Sequence, residues 1–213
     1  MVTRISLLQW LPLRAALLLS GIYCLMPAIG FAQQKSPGTN DAKKAWQLLK
    51  DADVLITDSL EWDAPLDMIL QANALMQHSR DSAFWAESAF DQARCLRRKG
   101  IYPQALELLN ISTGYWQKNV DHPVDRIGDA LIIRGFCLKE LKQKEVAWQS
   151  LEQALAVFQN TVGEYHFKTA SAYNAFGIFR EQESDWESAT QYYRKAIEIN
   201  SKCRHGRTTI ATS

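Results

Sequence analysis

The sequence predicts an all-α chain wound as an α-α superhelix, a solenoid of three clear repeats behind a degenerate N-terminal helix pair. Three observations carry that expectation. Ala and Leu are the commonest of the 213 residues and Gln comes next, with only ten Gly and six Pro. Straight-chain residues lose little rotamer freedom in a helix, so this mixture favours helices throughout. Sliding the chain against itself by 42 residues brings Ala93, Gly135 and Gly177 into register, all small, and Ala105, Ala147 and Ala189, all alanine. Tyr102, Lys144 and Trp186 then align three places before that alanine, and Cys95 aligns with Cys137. Self-similarity at such a period is the mark of a stacked repeat architecture.

Residues 1–32 differ from the rest of the chain. Arg4 and Arg14 supply positive charge, Ala15 to Gly30 is an uncharged run, and Gly30-Phe31-Ala32 places small residues before a cut ahead of Gln33-Gln34. Charged start, apolar middle and small-residue exit are the three parts of a secretory signal peptide. The alternative is a retained membrane anchor, since Ala15–Ala32 is just long enough to span a bilayer, although Pro27 and Gly30 disfavour a long stable helix. Export is common to both readings: a periplasmic or extracellular chain, or one anchored at its N-terminus. Residues 33–40 (QQKSPGTN) read as a polar linker.

Residues 41–80 carry helical spacing at Ala42, Ala45, Trp46, Leu49 and Ala52, and again at Leu66, Ile69, Leu70, Asn73, Leu75 and Met76. They are expected to form a degenerate pair that caps the stack, or else a fourth, divergent repeat. The three copies then run over 86–119, 128–161 and 170–203. Each predicts two antiparallel helices, over 86–99 and 103–116, 128–142 and 145–158, and 170–183 and 186–199. Pro103 fits the first turn of a second helix, where its missing N–H costs nothing, and Asp185 fits a cap before Trp186. Trp186 is expected in the repeat core, with Trp116 and Trp148 partly exposed. Residues 204–213 are a tail in which Ala211-Thr212-Ser213 resemble the opening of one more, truncated repeat.

The best copy, ASAYNAFGIFREQESDWESATQYYRKAIEINSKC, starts at Ala170. It resembles a tetratricopeptide repeat. Counted from Ala170, Tyr173, Phe176, Trp186 and Tyr193 fill four of that family's bulky positions, and Gly177, Ala189 and Ala196 fill its three small ones. Arg180 and Ser201 depart from the pattern. The copy before it keeps Leu131, Gly135, Leu138, Ala147, Leu151 and Ala154; the first keeps Ala93, Leu96, Gly100, Tyr102, Ala105 and Leu109. The insert VGEYHFKT at 162–169 lengthens the period to 42 and is similar to the kinesin-light-chain-like subclass.

The resemblance implies a fold of stacked helix pairs and a concave face lined by the first helix of each pair. It places Glu87, Phe90, Arg94 and Arg97, then Asp129, Ile132, Phe136 and Lys139, then Ser171, Asn174, Ile178 and Glu181 on that face. The partner-binding residues expected from this set are Phe90, Arg94, Arg97, Ile132, Phe136, Lys139, Asn174, Ile178 and Glu181. An apolar middle with charged edges suits a protein or peptide ligand. The function expected is an exported scaffold for protein–protein interactions. A second reading is the N-terminal sensory input module of a longer signalling protein with a kinase, protease or transcriptional output.

Other chemistry finds little support. Removing Arg4 and Arg14 with the leader leaves 22 basic residues against 23 acidic, a balance without electrostatic pull towards nucleic acid. Membrane contact is expected only through an uncleaved leader. His78, His122, His166 and His205 have no metal-site spacing, and no Cys-x-x-Cys occurs, so no metal or cofactor is implied. Cys95 and Cys137 lack an adjacent base and read as buried structural thiols, so no catalytic residue is assigned and no enzyme is expected.

Overall fold

The computed structural model describes residues 38–58, 61–119 and 124–210. They form eight helices: α1 (Thr39–Asp58), α2 (Asp63–Leu75), α3 (Ser82–Arg98), α4 (Tyr102–Trp116), α5 (Asp125–Glu140), α6 (Lys144–Thr161), α7 (Phe167–Gln182) and α8 (Trp186–Ile210). No strand occurs among the described residues. The leader, linker residues 33–37, His122 and residues 211–213 lie outside them. α8 continues to Ile210, through residues expected from the sequence to form a tail.

Consecutive helices pair as α1 with α2, α3 with α4, α5 with α6 and α7 with α8. Each pair then seats its first helix on the pair before it, α3 on α2, α5 on α4 and α7 on α6. The odd helices also touch one another along the stack, α1 with α3, α3 with α5 and α5 with α7, whereas the even helices do not. Odd helices therefore lie on the inside of the curve.

The turn inside each of the three later pairs has one construction. Gly100, Lys142 and Ser184 adopt φ of 78°, 64° and 63°. The next amide in each case reaches back to the preceding helix: Ile101 N–H to Leu96 O at 2.9 Å, Gln143 N–H to Leu138 O at 2.9 Å, Asp185 N–H to Arg180 O at 3.0 Å. This is a Schellman termination, which satisfies carbonyls at the helix end and calls for a left-handed residue. Only the first copy uses glycine there. Pro103 then occupies the second position of α4, and the Asp185 carboxylate accepts from Ser188 N–H at 3.2 Å to start α8.

The aligned small residues mark the closest approach of paired helices. Ala93, Ala105 and Ala147 are fully buried. A Cβ on Gly135 would lie 2.9 Å from Leu151 Cδ2 and 3.1 Å from the Ala147 carbonyl oxygen, so nothing larger than hydrogen fits. In the N-terminal pair, Ala45, Leu49, Ala52, Ile69 and Ala72 form the equivalent core with Phe84 of α3. Trp46 meets Phe84 edge to face at 5.5 Å.

Two tryptophans depart from expectation. Trp116 is 3 % exposed because α5 covers the end of α4, packing Ala130 and Ile127 into the cluster that holds Trp116 and Phe90. Trp186 is 62 % exposed, since α8 contacts only α7 among the described helices.

Candidate partner-binding face

The odd helices are held together by cations that cross from one pair to the next. Arg94 on α3 pairs with Asp53 on α1 and with Asp91 on its own helix, and also donates to Thr57. Arg126 on α5 pairs with Glu87 on α3 and lies over the Phe90 ring. Lys168 on α7 reaches Asp125 at 2.6 Å and Asp129 at 2.7 Å on α5. Lys139 on α5 donates to Phe179 O on α7 at 3.0 Å and to the Gln182 side chain. Glu87 and Asp129 are 42 residues apart, as are Arg126 and Lys168, so one rung recurs in two successive interfaces.

These rungs decide which expected site residues can meet a partner. Phe90 is 2 % exposed, enclosed by Trp116 at 5.3 Å, Arg94 and Arg126, and serves the stack. Lys139 is 8 % exposed and spends its ammonium on α7. Both depart from the expected groove-facing placement, because the neighbouring pair covers them. Arg94 is half-buried and fully engaged. What remains is Arg97, Ile132, Phe136 and Ile178, all partly exposed, with Asn174 and Glu181 exposed. The Glu181 carboxylate accepts from the Tyr193 hydroxyl.

Arg97 differs from the other cations of this face. Its guanidinium rests over the Phe136 ring, 5.6 Å from the centroid, and its Nε is buried without a hydrogen-bond partner. No carboxylate pairs with it among the described residues. Burial and then the nearby Arg98 hold its pKa below the ordinary guanidinium value. A cation half-withdrawn from water on an aromatic ring gains more from an arriving anion than one in bulk solvent.

Burial also shapes the acids beneath the rungs. It pushes the Asp91 carboxyl up to about 7 against the pull of Arg94. It raises Asp129 as well, against Lys168. The buried Cys95 and Cys137 thiols are both pushed up to about 11, far from a reactive thiolate at neutral pH. No group of three His, Cys, Asp or Glu side chains that could hold a metal ion occurs among the described residues. No helix among them is long and apolar enough to cross a membrane.

The rung-forming residues Arg126, Lys168, Asp53 and Asp125 were not singled out by sequence reasoning. The 42-residue spacing of Arg126 with Lys168, and of Glu87 with Asp129, was the signal available.

The family model of the tetratricopeptide repeat matches residues 126–202, which hold α5, α6, α7 and most of α8. The chain contains tetratricopeptide repeats over this segment. The fold of BtubC (BKLC) from P. vanneervenii is similar, with a TM-score of 0.52 at 18 % identity over 76 % of this chain and 73 % of that one. MamA also aligns, with a TM-score of 0.49 at 16 % identity over 76 % of this chain and 82 % of MamA. No curated protein sequence matches the chain. Tetratricopeptide repeats are in general non-enzymatic scaffolds that bind proteins or peptides. Among the described residues the odd-helix face offers an apolar track with an unpaired cation, Arg97, at the α3 end and the Glu181 carboxylate at the α7 end.

Proposed function

We propose that this protein is an exported scaffold that binds a protein or peptide partner along its odd-helix face, through Arg97, Ile132, Phe136, Asn174, Ile178 and Glu181. The observation that supports this most is the unpaired guanidinium of Arg97 over the partly exposed Phe136. The other cations on that face, Arg94, Arg126, Lys139 and Lys168, are consumed by the stack. A site left unsatisfied among satisfied equivalents is where ligand contact gains most. Apolar side chains beside it supply the desolvated centre that dominates recognition energy. Export is supported by the charged start, apolar run and small-residue exit of residues 1–32.

Two measurements test this. A photo-crosslinking residue at Ile178 should capture a defined partner from the producing cell's envelope fraction, and the same residue at the outward-facing Ile111 should not. Capture at Ile178 should be lost with Phe136→Glu. Equal capture from both positions, or capture indifferent to Phe136→Glu, would refute binding on the odd-helix face. For export, N-terminal sequencing of the mature chain should begin at Gln33, or the chain should fractionate with the membrane if the leader is kept. Recovery of the intact chain in the cytoplasmic soluble fraction would overturn it.

A further inference from the structure

The even helices do not touch one another, so the seam between two of them has an odd helix as its floor. Two such seams, α4 with α6 over α5 and α6 with α8 over α7, are filled differently. In the second, rings bridge the walls: Phe176 of α7 lies 4.7 Å from Trp148 of α6 and 5.3 Å from Tyr192 of α8 between centroids. Phe176 is 3 % exposed as a result. The residues 42 places earlier are Arg134, Leu106 and Ser150. No aromatic side chain lines the α4–α6 seam, where a cleft of about 440 Å³ remains.

The polar residues of the two seams differ as well. Asn110 and Gln117 line the cleft from α4, Gln153 and Asn160 from α6. Each two are seven residues apart on one helix, so each wall carries carboxamides about 10.5 Å apart on one face. All four are exposed and unbonded among the described residues. Their counterparts in the next seam include Glu152, Lys195 and Lys202, which are engaged. Glu152 accepts from Trp148 Nε1 at 2.9 Å, Lys195 lies over the Tyr173 ring, and Lys202 pairs with Glu198. α5 runs antiparallel to α6, with Gly135 against Ala147 and Leu151 and Gly128 against Phe158. Arg134 therefore stands at the Asn110 and Gln153 end of the cleft. It is exposed, it has no carboxylate or hydrogen-bond partner among the described residues, and no acidic side chain lines the cleft.

We infer that the α4–α6 cleft binds an extended peptide segment of a partner protein. A carboxylate side chain of that segment sits on Arg134 between Asn110 and Gln153, and its backbone runs towards Gln117 and Asn160. A carboxamide presents both donors and an acceptor, the complement of a free peptide group. A helix has spent those backbone groups internally; an extended segment presents them, and about three of its residues, at roughly 3.3 Å each, span the distance between the carboxamides. A guanidinium with no carboxylate of its own gains charge-assisted hydrogen bonds from an arriving one. Residues 1–37 and 199–213 contain no Asp or Glu, so those parts of this chain supply no such side chain. The cleft opens between even helices, away from the odd-helix face, and each site can fail without the other.

The probe is a fluorescein-labelled peptide, Thr-Val-Glu-Val-Thr, titrated with the full chain and followed by anisotropy. Saturable binding is expected, weakened at least tenfold by Arg134→Gln and at least tenfold when Gln replaces the Glu of the peptide. Arg134→Phe, which copies Phe176, should fill the cleft and abolish binding while the helical circular dichroism signal is kept. Arg97→Gln should leave affinity unchanged. Absence of saturable binding, or binding indifferent to Arg134→Gln, overturns the inference. Loss of binding with Arg97→Gln also overturns it, since that would place the peptide on the odd-helix face. Tighter binding of a stapled helical peptide of the same charge would refute the extended form. Sedimentation of the chain alone addresses self-association: assembly that Arg134→Gln abolishes would make a second copy the occupant and refute a partner's segment.

Discussion

Two glycines face nearly the same clash and should respond differently to alanine. A Cβ on Gly128 would lie 2.6 Å from Phe158 Cζ and 2.9 Å from its Cδ1; on Gly177 it would lie 2.6 Å from Tyr193 Cδ1 and 2.9 Å from its Cζ. Real Cβ contacts below 3.0 Å essentially never occur, so in each case the ring must move. Phe158 has nowhere to go: it is fully buried between α5 and α7. Overpacking such a site costs about 1–3 kcal/mol, while the gain in helix propensity is at most about 1 kcal/mol and smaller near the start of α5. Gly128→Ala is therefore expected to destabilise by about 1–2 kcal/mol, or a melting temperature lower by roughly 2–8 °C at this chain length. Tyr193 borders a notch that is open among the described residues and can swing outward, giving up its bond to Glu181, which is worth about 1 kcal/mol. That loss roughly cancels the propensity gain, and Gly177→Ala should lie within about 0.5 kcal/mol of wild type. Urea denaturation followed at 222 nm measures both. A double-mutant cycle with Phe158→Leu should recover most of the Gly128→Ala cost, because the shorter side chain frees the space. Equal effects of the two alanines, or no coupling to Phe158, would show that ring confinement between seated helices does not govern these positions.

The left-handed turn residues give a second test: Lys142→Gly and Ser184→Gly should each stabilise the chain by about 1 kcal/mol, since their φ near +64° strains an L-residue; destabilisation in thermal melts would argue against the Schellman geometry. Lys168→Met leaves Asp125 and Asp129 facing each other without their shared cation and should cost about 1–3 kcal/mol, and Asp129→Asn in the same chain should restore part of it. Asp91 makes stability depend on pH. Its folded pKa of about 7 lies above the ordinary 3.8, so the native state holds an extra proton, and stability present at low pH is lost as pH rises through 7. Between pH 5 and pH 8 that loss is about 2–3 kcal/mol, and Asp91→Asn should remove it; a wild-type melting temperature that does not fall over this range refutes the assignment.

The fold was legible because the features that define it are periodic. A residue that must be small where two helices touch must be small in every copy, so Gly135 and Gly177 announce the crossing without knowledge of the neighbours. The burial of Cys95 and Cys137 and the cap at Asp185 come from the same register. The candidate face was less legible, for a reason that Phe90 and Lys139 make plain. Repeat position says which way a side chain leaves its own helix, but not whether the next pair lies over it. Phe90 leaves α3 towards the inner face and is then covered through Arg126; Asn174, in the equivalent place on α7, is covered by no later helix among the described residues and is exposed. The unexpected burial of Trp116 and exposure of Trp186 have the same cause, one covered by α5 and the other left open. The rungs share the 42-residue period, but charged residues are common on any helix surface, and a recurring charge does not by itself mark a buried contact as a recurring glycine does.

The rungs also limit which residues of the odd-helix face are free for the proposed recognition. Each pair of a solenoid contacts only its neighbours, so stability is a sum of intrinsic terms and interface terms. Here polar inner-face residues contribute to the interface terms, which leaves few of them for recognition. The equivalent position along the three later odd helices illustrates the point: among the described residues no carboxylate pairs with Arg97 and its Nε has no hydrogen-bond partner, Lys139 is buried in its bond to the Phe179 carbonyl, and Glu181 is exposed. A ligand lying along the face meets positive charge at α3, apolar surface from Phe136 and Ile178, and negative charge at α7. Like-charge contact is costly in a partly desolvated groove. For a peptide bound on this face as proposed, that polarity would select one direction, acidic end towards α3, even though the repeats that build the face are nearly alike.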